Sequence, residues 1–254
     1  MKPEEAQTVD GQSKPERLPW LSGFEKNDYS RLWASKRIED EAQRRIIRGW
    51  LKPGESCLEL GGGFGRITRE LEPYFRNVAM VDLTWRNLEM AKGNLDKAGI
   101  LWSDVSTLPL KEATFDTVVM VRVVHLLPDP KKTMMEILRV MKDGGTLIMS
   151  IPNLLVNHMI REFEMSVFPS MKHMIPTFGP VVWPLGERPF LRPQEYFVPR
   201  EFKITGRRGT GLFDNYIGKA LNGIPSLSLL DYATSPLWFF KLDVFFRFQV
   251  SKQG

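Results

Sequence analysis

Cysteine and histidine are scarce in this chain, which has one cysteine and three histidines among its 254 residues. A single cysteine excludes an internal disulfide bond and is compatible with a reducing compartment, so we expect a cytoplasmic location. The scattered histidines and the cysteine show none of the spacings that metal ligands usually have, and we expect no metal site. Cys57 falls within a predicted strand, which favours a buried core position over a role as a nucleophile.

Long apolar segments are also missing. No run of about 18 apolar residues occurs, so we expect no transmembrane segment. The N-terminus from Met1 to Glu16 is polar with mixed charge, which argues against a secretory signal. The net charge of +5 is modest, and it permits a nucleic-acid or membrane-surface partner without arguing for one. The length suits one large α/β domain, or one domain with a substantial insertion.

The most informative stretch runs from Ser56 to Arg66 and reads SCLELGGGFGR. It begins with a predicted strand that contains the acid Glu59. Glycines then stand at every second position, 61, 63 and 65, and a predicted helix begins after them. A phosphate-binding P-loop would need Gly-Lys-Ser/Thr at the end of this turn, and a dinucleotide fingerprint counted from Gly61 would need a glycine where Arg66 stands. A carboxylate two residues before the first glycine would repel a pyrophosphate, so it suits a ligand with an ammonium or sulfonium group.

Strand and helix patterns alternate along the rest of the chain, which predicts an α/β fold with a doubly wound, mostly parallel sheet. Predicted strands cover 56–60, 77–82, 100–104, 115–121, 146–151, 203–206 and 245–250. Predicted helices cover 37–51, 67–71, 85–98 and 130–141, the last of them stopped by Gly144-Gly145. Ligands bind such sheets at the carboxyl edge, and Glu59, Asp82, Asp104 and Arg122 all fall there in this prediction.

These residues resemble the class I S-adenosylmethionine (SAM)-dependent methyltransferases over about residues 37–153. The resemblance is strongest to the small-molecule group that includes ubiquinone and menaquinone biosynthesis enzymes, known as type 11. It is carried by the glycine turn and by Leu108-Pro109-Leu110, Phe115-Asp116, the run from His125 to Pro130, and the run from Leu138 to Gly145. It implies a Rossmann-like, seven-stranded sheet whose seventh strand is antiparallel to the sixth, SAM as the cofactor, and methyl transfer to a small, partly apolar acceptor.

The site residues follow from the strand ends and from this resemblance. Asp82 lies nineteen residues past Gly63, a spacing that returns the chain to the adjacent parallel strand, where an acid can accept both ribose hydroxyls. A role as a turn residue or helix N-cap is the alternative for Asp82. The resemblance implies that Asp104 and Val105 contact adenine, with a capping role as the alternative for Asp104, and Arg122 is a candidate for the methionyl end. The full set of candidate cofactor-binding residues is Glu59, Gly61, Gly63, Gly65, Asp82, Leu83, Asp104, Val105 and Arg122.

Three further residues are candidates on the acceptor side. His125 is the histidine near the predicted active edge and is a candidate general base, with a structural role as the alternative. Tyr29 and Trp33 precede the first long helix and are candidate substrate contacts, with core packing as the alternative.

The predicted organisation has four parts. Residues 1–18 form a disordered tail, 19–153 the SAM-binding core with N-terminal helices, 154–200 an inserted cap over the substrate side, and 201–254 the final strands. An apolar helical stripe and a proline-broken stretch rich in aromatic residues and arginine mark the insertion.

Two other functions stay open. The first is a methyltransferase that acts on nucleic acid or protein. Arginine with aromatic stacking is typical of proteins that bind single-stranded nucleic acid, which favours this function. The absence of an Asn/Asp-Pro-Pro-Tyr motif after the fourth strand argues against it. A SAM-binding module without catalysis is the other. The sequence leaves the acceptor and the oligomeric state open.

Overall fold

The computed structural model describes residues 8–9, 12–13, 29–153, 156, 191–211 and 226–252. Within the predicted tail, Thr8–Val9 pairs antiparallel with Gln12–Ser13. The apolar helical stripe predicted after the fifth strand lies outside the described residues, apart from Val156. Most of the predicted cap, 154–200, also lies outside them.

One seven-stranded sheet organises the described chain. Its strands are β1 (Gly54–Leu60), β2 (Phe75–Asp82), β3 (Gly99–Trp102), β4 (Phe115–Met120), β5 (Met141–Pro152), β6 (Phe202–Thr210) and β7 (Asp243–Val250). Their order across the sheet is β3-β2-β1-β4-β5-β7-β6, and only β7 runs antiparallel to its neighbours. The predicted doubly wound, mostly parallel sheet is confirmed, including the antiparallel pairing of the last two strands.

Seven helices accompany the sheet in the described ranges. They are α1 (Tyr29–Ala34), α2 (Arg37–Trp50), α3 (Thr68–Leu71), α4 (Trp85–Asn94), α5 (Pro130–Val140), α6 (Pro193–Tyr196) and α7 (Ser226–Ala233). Short 3₁₀ turns cover Val124–Leu126 and Trp238–Phe240.

The two faces of the sheet are buried by different helices, as period-two alternation requires. Leu58 packs in a cluster with Met134 of α5. Its neighbour Cys57 points to the other face and packs in a cluster with Ile46 of α2 and Leu71 of α3. Both faces are therefore covered, and the carboxyl edge of the sheet remains as the place for a ligand.

Helix α4 ends four residues before its predicted end. The backbone N–H groups of Asp96, Lys97 and Ala98 donate to the carboxylate of Glu72, at 3.1, 2.8 and 2.9 Å. A side chain from the preceding loop therefore satisfies the groups that a longer helix would have bonded internally.

Helix α5 ends before the glycine pair that was predicted to stop it, so that prediction is wrong. Met141 is already extended and begins β5. The carbonyls of Arg139 and Val140 accept the N–H groups of Ala113 and Thr114, at 2.9 and 2.8 Å. The loop before β4 thus caps this helix end in place of a glycine.

Candidate cofactor site at the carboxyl edge

Strands β1 and β2 bring two acidic residues to the carboxyl edge, side by side. Glu59 lies one residue before the end of β1, and Asp82 is the last residue of β2. The glycine turn crosses between them, because the N–H groups of Gly61 and Gly62 both donate to the carbonyl of Val81, at 2.7 and 3.2 Å. The parallel pairing of β1 and β2 therefore brings the glycine turn next to both acids, as the sequence predicted.

Four glycines in this turn have different surroundings. A Cβ atom on three of them would overlap or crowd a neighbouring side chain, which is Val123 for Gly61, Met80 for Gly62 and Leu95 for Gly65. A Cβ on Gly63 would clash with no atom, since the nearest one, Nδ2 of Asn87, is 4.0 Å away. Gly63 also has a φ of 58°, in the left-handed region that glycine adopts without strain. Gly63 is thus the position where a ligand can approach the backbone.

Asp82 is buried directly beside Gly63. Its Oδ2 accepts the N–H of Gly63 at 2.8 Å, and its Oδ1 accepts the N–H of Thr84 at 2.7 Å. Burial raises the pKa of this carboxyl, and the backbone hydrogen bonds oppose the rise. Asn87, in the first turn of α4, is buried too, and its Oδ1 has no hydrogen-bond partner. Acceptor oxygens therefore cluster here, which suits a ligand that brings hydroxyl groups.

Glu59 is only 2% exposed. Its Oε2 accepts a hydrogen bond from the hydroxyl of Thr68, the first residue of α3. Burial raises the pKa of Glu59 to about 7, against the lowering effects of Thr68 and of the nearby Arg66, while Asp82 adds to the rise. A carboxyl in this state gains from a cationic ligand, because a positive charge favours its ionised form.

The third predicted contact region follows β3. Asp104 is exposed, two residues past the strand, and its Oδ1 accepts the N–H of Ser106 at 2.7 Å. Val105 is buried and belongs to the core. Leu83, after β2, accepts a hydrogen bond on its carbonyl from the indole nitrogen of Trp102 at 3.0 Å, which ties the ends of β2 and β3 together. Asp104 therefore makes the local hydrogen bond expected of a capping residue, and its side chain is exposed at the carboxyl edge.

Arg122 follows β4 and has a φ of 60°, which is unusual for a residue with a side chain. Its N–H donates to Ser150 Oγ at 2.8 Å. Its Nη1 donates to Glu39 of α2 at 3.0 Å and to Asp243 at the start of β7. Burial and Glu39 raise the pKa of Asp243 to about 6, against the lowering effect of Arg122. The guanidinium of Arg122 thus binds two buried carboxyl groups and fastens α2 to the end of the sheet.

Trp33, at the end of α1, lies against the glycine turn. The guanidinium of Arg66 stacks on its ring at 3.6 Å from the centroid, and that guanidinium also donates to Asp40 and Gln43 of α2. Trp33 is therefore held at the same edge as the two strand-end acids, by the first residue after the last glycine of the turn. The side chain of Tyr29 lies outside the described residues.

His125 belongs to the 3₁₀ turn after β4 and is partly buried. Burial, reinforced by Arg122, lowers the pKa of His125 to about 3. Its imidazole is therefore neutral at pH 7 and binds a proton weakly, which makes it a poor general base.

Several residues of this edge escaped the sequence analysis. Thr68 had a usable signal, since it stands in the first turn of the helix after the glycines, nine positions past Glu59. Asn87 likewise stands in the first turn of the helix that follows Asp82. Asp243 had none, because it lies 121 positions from Arg122 and only the tertiary structure joins them.

Within the described ranges, no three Cys, His, Asp or Glu side chains group as metal ligands would. In the same part of the chain, every helix is too short or too polar to span a membrane.

The comparisons with known proteins find similarity to methyltransferases over the middle of the chain. Residues 58–149 match the type 11 family model of a methyltransferase domain. The chain is 28% identical over 111 residues to a malonyl-[acyl-carrier protein] O-methyltransferase of Serratia marcescens, covering 44% of each chain. It is 26% identical over 98 residues to a demethylmenaquinone methyltransferase of Renibacterium salmoninarum, covering 39% of this chain and 41% of the relative. The chain spans about half the length of the curated relatives it matches.

A solved structure supports the same fold. It is a SAM-dependent methyltransferase of Thermotoga maritima, with a TM-score of 0.56 and 20% identity over 91% of this chain and 100% of that one.

Proposed function

We propose that this chain, whose residues 58–149 match a methyltransferase domain, is a class I SAM-dependent methyltransferase that transfers the methyl group of SAM to a small, partly apolar acceptor. The observation that carries the proposal is the open side of Gly63, flanked by the buried carboxyl groups of Glu59 and Asp82. SAM has a cationic sulfonium, an ammonium and two ribose hydroxyls. Those groups match two carboxylates and a bare backbone at one edge.

The proposed cofactor contacts divide among the strand ends. Glu59 attracts the positive charge of the methionyl end, and Asp82 accepts the ribose hydroxyls. Asp104 and the backbone at Val105 take the adenine, next to Leu83. Gly61 and Gly65 shape the turn, and Gly63 lets the ligand approach. The backbone of Arg122 is the part of that residue available to the cofactor, because its guanidinium is bound by Glu39 and Asp243.

When bound, SAM supplies an electrophilic methyl group. The residues of this chain have the task of orienting the acceptor toward it and excluding water, since proximity and orientation account for much of the rate of a displacement. Trp33, held by Arg66 over the same edge, is the proposed contact on the acceptor side. His125 stays a candidate base, but its low pKa favours acceptors that need little help in losing a proton.

Exposed apolar side chains support a partly apolar acceptor. Leu126, just after β4, is 37% exposed, and Phe239 and Phe240 are 42% and 68% exposed. Asn153, just after β5, donates from Nδ2 to the carbonyl of Phe239 at 2.9 Å, so this aromatic turn lies at the carboxyl edge too. The relative that acts on demethylmenaquinone is consistent with such an acceptor. A cytoplasmic location stays part of this proposal.

The test has two stages. Calorimetry should detect binding of SAM and of its demethylated product to the wild-type protein and a severe loss in Gly63→Val, with Glu55→Gln at the opposite end of β1 as the matched control. Labelled SAM incubated with protein and cell extract should then place label in the organic-soluble, small-molecule fraction. Label in protein or nucleic acid would favour the macromolecular alternative. Binding without any transfer would favour a non-catalytic module, and no binding would overturn the proposal.

A further inference from the structure

Thr68 occupies a buried position between the glycine turn and α3. Its side chain is fully buried, and its hydroxyl donates to Oε2 of Glu59. The positive charge of Arg66 also favours the ionised form of Glu59, but the guanidinium of Arg66 is hydrogen-bonded to Asp40 and Gln43. Thr68 contacts the Glu59 carboxylate directly, through this hydroxyl and through its backbone N–H, and only the hydroxyl is lost when the side chain is replaced.

We propose that Thr68 is a positioning residue for cofactor binding: its hydroxyl holds the Glu59 carboxylate in the orientation that recognises the cationic end of the cofactor. The proposal rests on the proposed function, since it requires that Glu59 faces the methionyl end of SAM. It assigns Thr68 no contact with the cofactor itself.

The physical reason is the balance between burial and hydrogen bonding. A carboxyl group removed from water favours its neutral form, and the second carboxyl at Asp82 adds to this preference. A hydroxyl donor stabilises the ionised form, so Thr68 opposes both effects. Without that donor, Glu59 would be mostly protonated at pH 7 and would attract a cation less.

The experiment measures the affinity for S-adenosylhomocysteine by calorimetry between pH 6 and pH 8.5. In the wild-type protein, affinity should rise with pH through about 7, because Glu59 loses its proton there. Thr68→Val is nearly isosteric and lacks the hydroxyl. It should move this midpoint upward by about one pH unit and weaken binding about fivefold at pH 7, with the difference narrowing toward pH 8.5. Thr68→Ser keeps the hydroxyl and should restore the wild-type profile, while Glu59→Gln should bind weakly with no midpoint near 7.

A loss of packing alone would weaken binding equally at every pH, so an unchanged midpoint in Thr68→Val overturns the positioning role. Thr68→Ala serves as a second variant without the hydroxyl if the valine variant does not fold. Carboxyl-carbon NMR of labelled glutamate follows the same midpoint without any ligand, and equal Glu59 titration in wild type and variant also overturns the role. If the wild-type protein binds no S-adenosylhomocysteine at any pH, the proposed function fails as well.

Discussion

Two buried pairs of ionisable side chains, Lys241 with Asp231 and Glu59 with Asp82, differ in how their charges are compensated. Lys241 donates to Asp231 Oδ1 at 2.5 Å and to Thr234 Oγ1 at 2.8 Å, and the other oxygen of Asp231 accepts the N–H of Gly211 at 2.9 Å. Each charge in this pair therefore has an opposite charge in contact.

The acids at the cofactor edge have no such partner. Glu59 and Asp82 are also buried, but their hydrogen bonds come from uncharged side chains and backbone N–H groups, and burial raises the pKa of both. Buried charge is tolerated in a fold when it is paired, and an uncompensated carboxyl group is typical of a place where a ligand completes the pairing. The comparison separates a structural ion pair from a binding site on physical grounds.

The largest effect should come from breaking the structural pair. Lys241→Met leaves the carboxylate of Asp231 buried without a cation, and we expect a loss of about 3–5 kcal/mol in the free energy of unfolding, measured with urea. The double variant Lys241→Met with Asp231→Asn should recover much of that loss, because no charge is then left unpaired. A loss below about 1 kcal/mol in the single variant would show that Lys241 does not stabilise the buried charge of Asp231.

Glu59→Gln should act in the opposite direction on stability. The folded pKa of Glu59, about 7, lies above its usual value of 4.5, so its stabilising contribution is full below pH 4.5 and is lost as pH rises to about 7. The variant should therefore gain on the order of 3 kcal/mol relative to wild type between pH 4.5 and pH 8, while losing cofactor affinity. Glu55→Gln, with a side chain 56% exposed, is the control and should show neither change. A pH-independent difference would contradict the uncompensated burial of Glu59.

Asp82→Ala tests the second acid through binding. We expect the affinity for S-adenosylhomocysteine to fall by about 1.5–3 kcal/mol, the range of hydrogen bonds to charged groups. Asp104→Ala should lose less, about 0.5–1.5 kcal/mol, because Asp104 is exposed and competes with water for its partner. Equal calorimetric affinities of wild type and Asp82→Ala would remove Asp82 from the ribose site.

Gly63→Val should have the smallest effect on stability. Its side chain would enter open space, so the expected loss is the strain of a left-handed φ, about 1–2 kcal/mol. Cofactor binding should nevertheless be abolished, since the side chain fills the space that the ligand needs. Gly61→Val, which would overlap Val123, should destabilise the fold more than Gly63→Val does. Thermal unfolding followed by circular dichroism measures the stability of both variants, and calorimetry measures their cofactor binding. If Gly63→Val were the more destabilised variant, Gly63 would serve core packing and not ligand approach.

The cofactor side of the edge could be predicted because its parts are close in sequence. One helix and one crossover separate Gly63 from Asp82, so the spacing alone indicates that they meet. The ion-pair network of Arg122 at the same edge could not be predicted, because Arg122, Glu39 and Asp243 come from three distant segments. The predicted end of α4 failed for a related reason, since Glu72 supplies hydrogen bonds that no periodic pattern records.

The sequence by itself determined the strand-turn-helix motif, the mostly parallel sheet and the acids at its edge, because hydrophobic period and glycine conformation act over a few neighbouring residues. The tertiary structure alone decided which glycine faces open space, since Gly61 and Gly63 look alike until Val123 packs beside one of them. It also decided that the acid at 59 is uncompensated while the acid at 231 is paired. Burial and partner distance set the charge state of a carboxyl group, and both arise only when remote segments pack together.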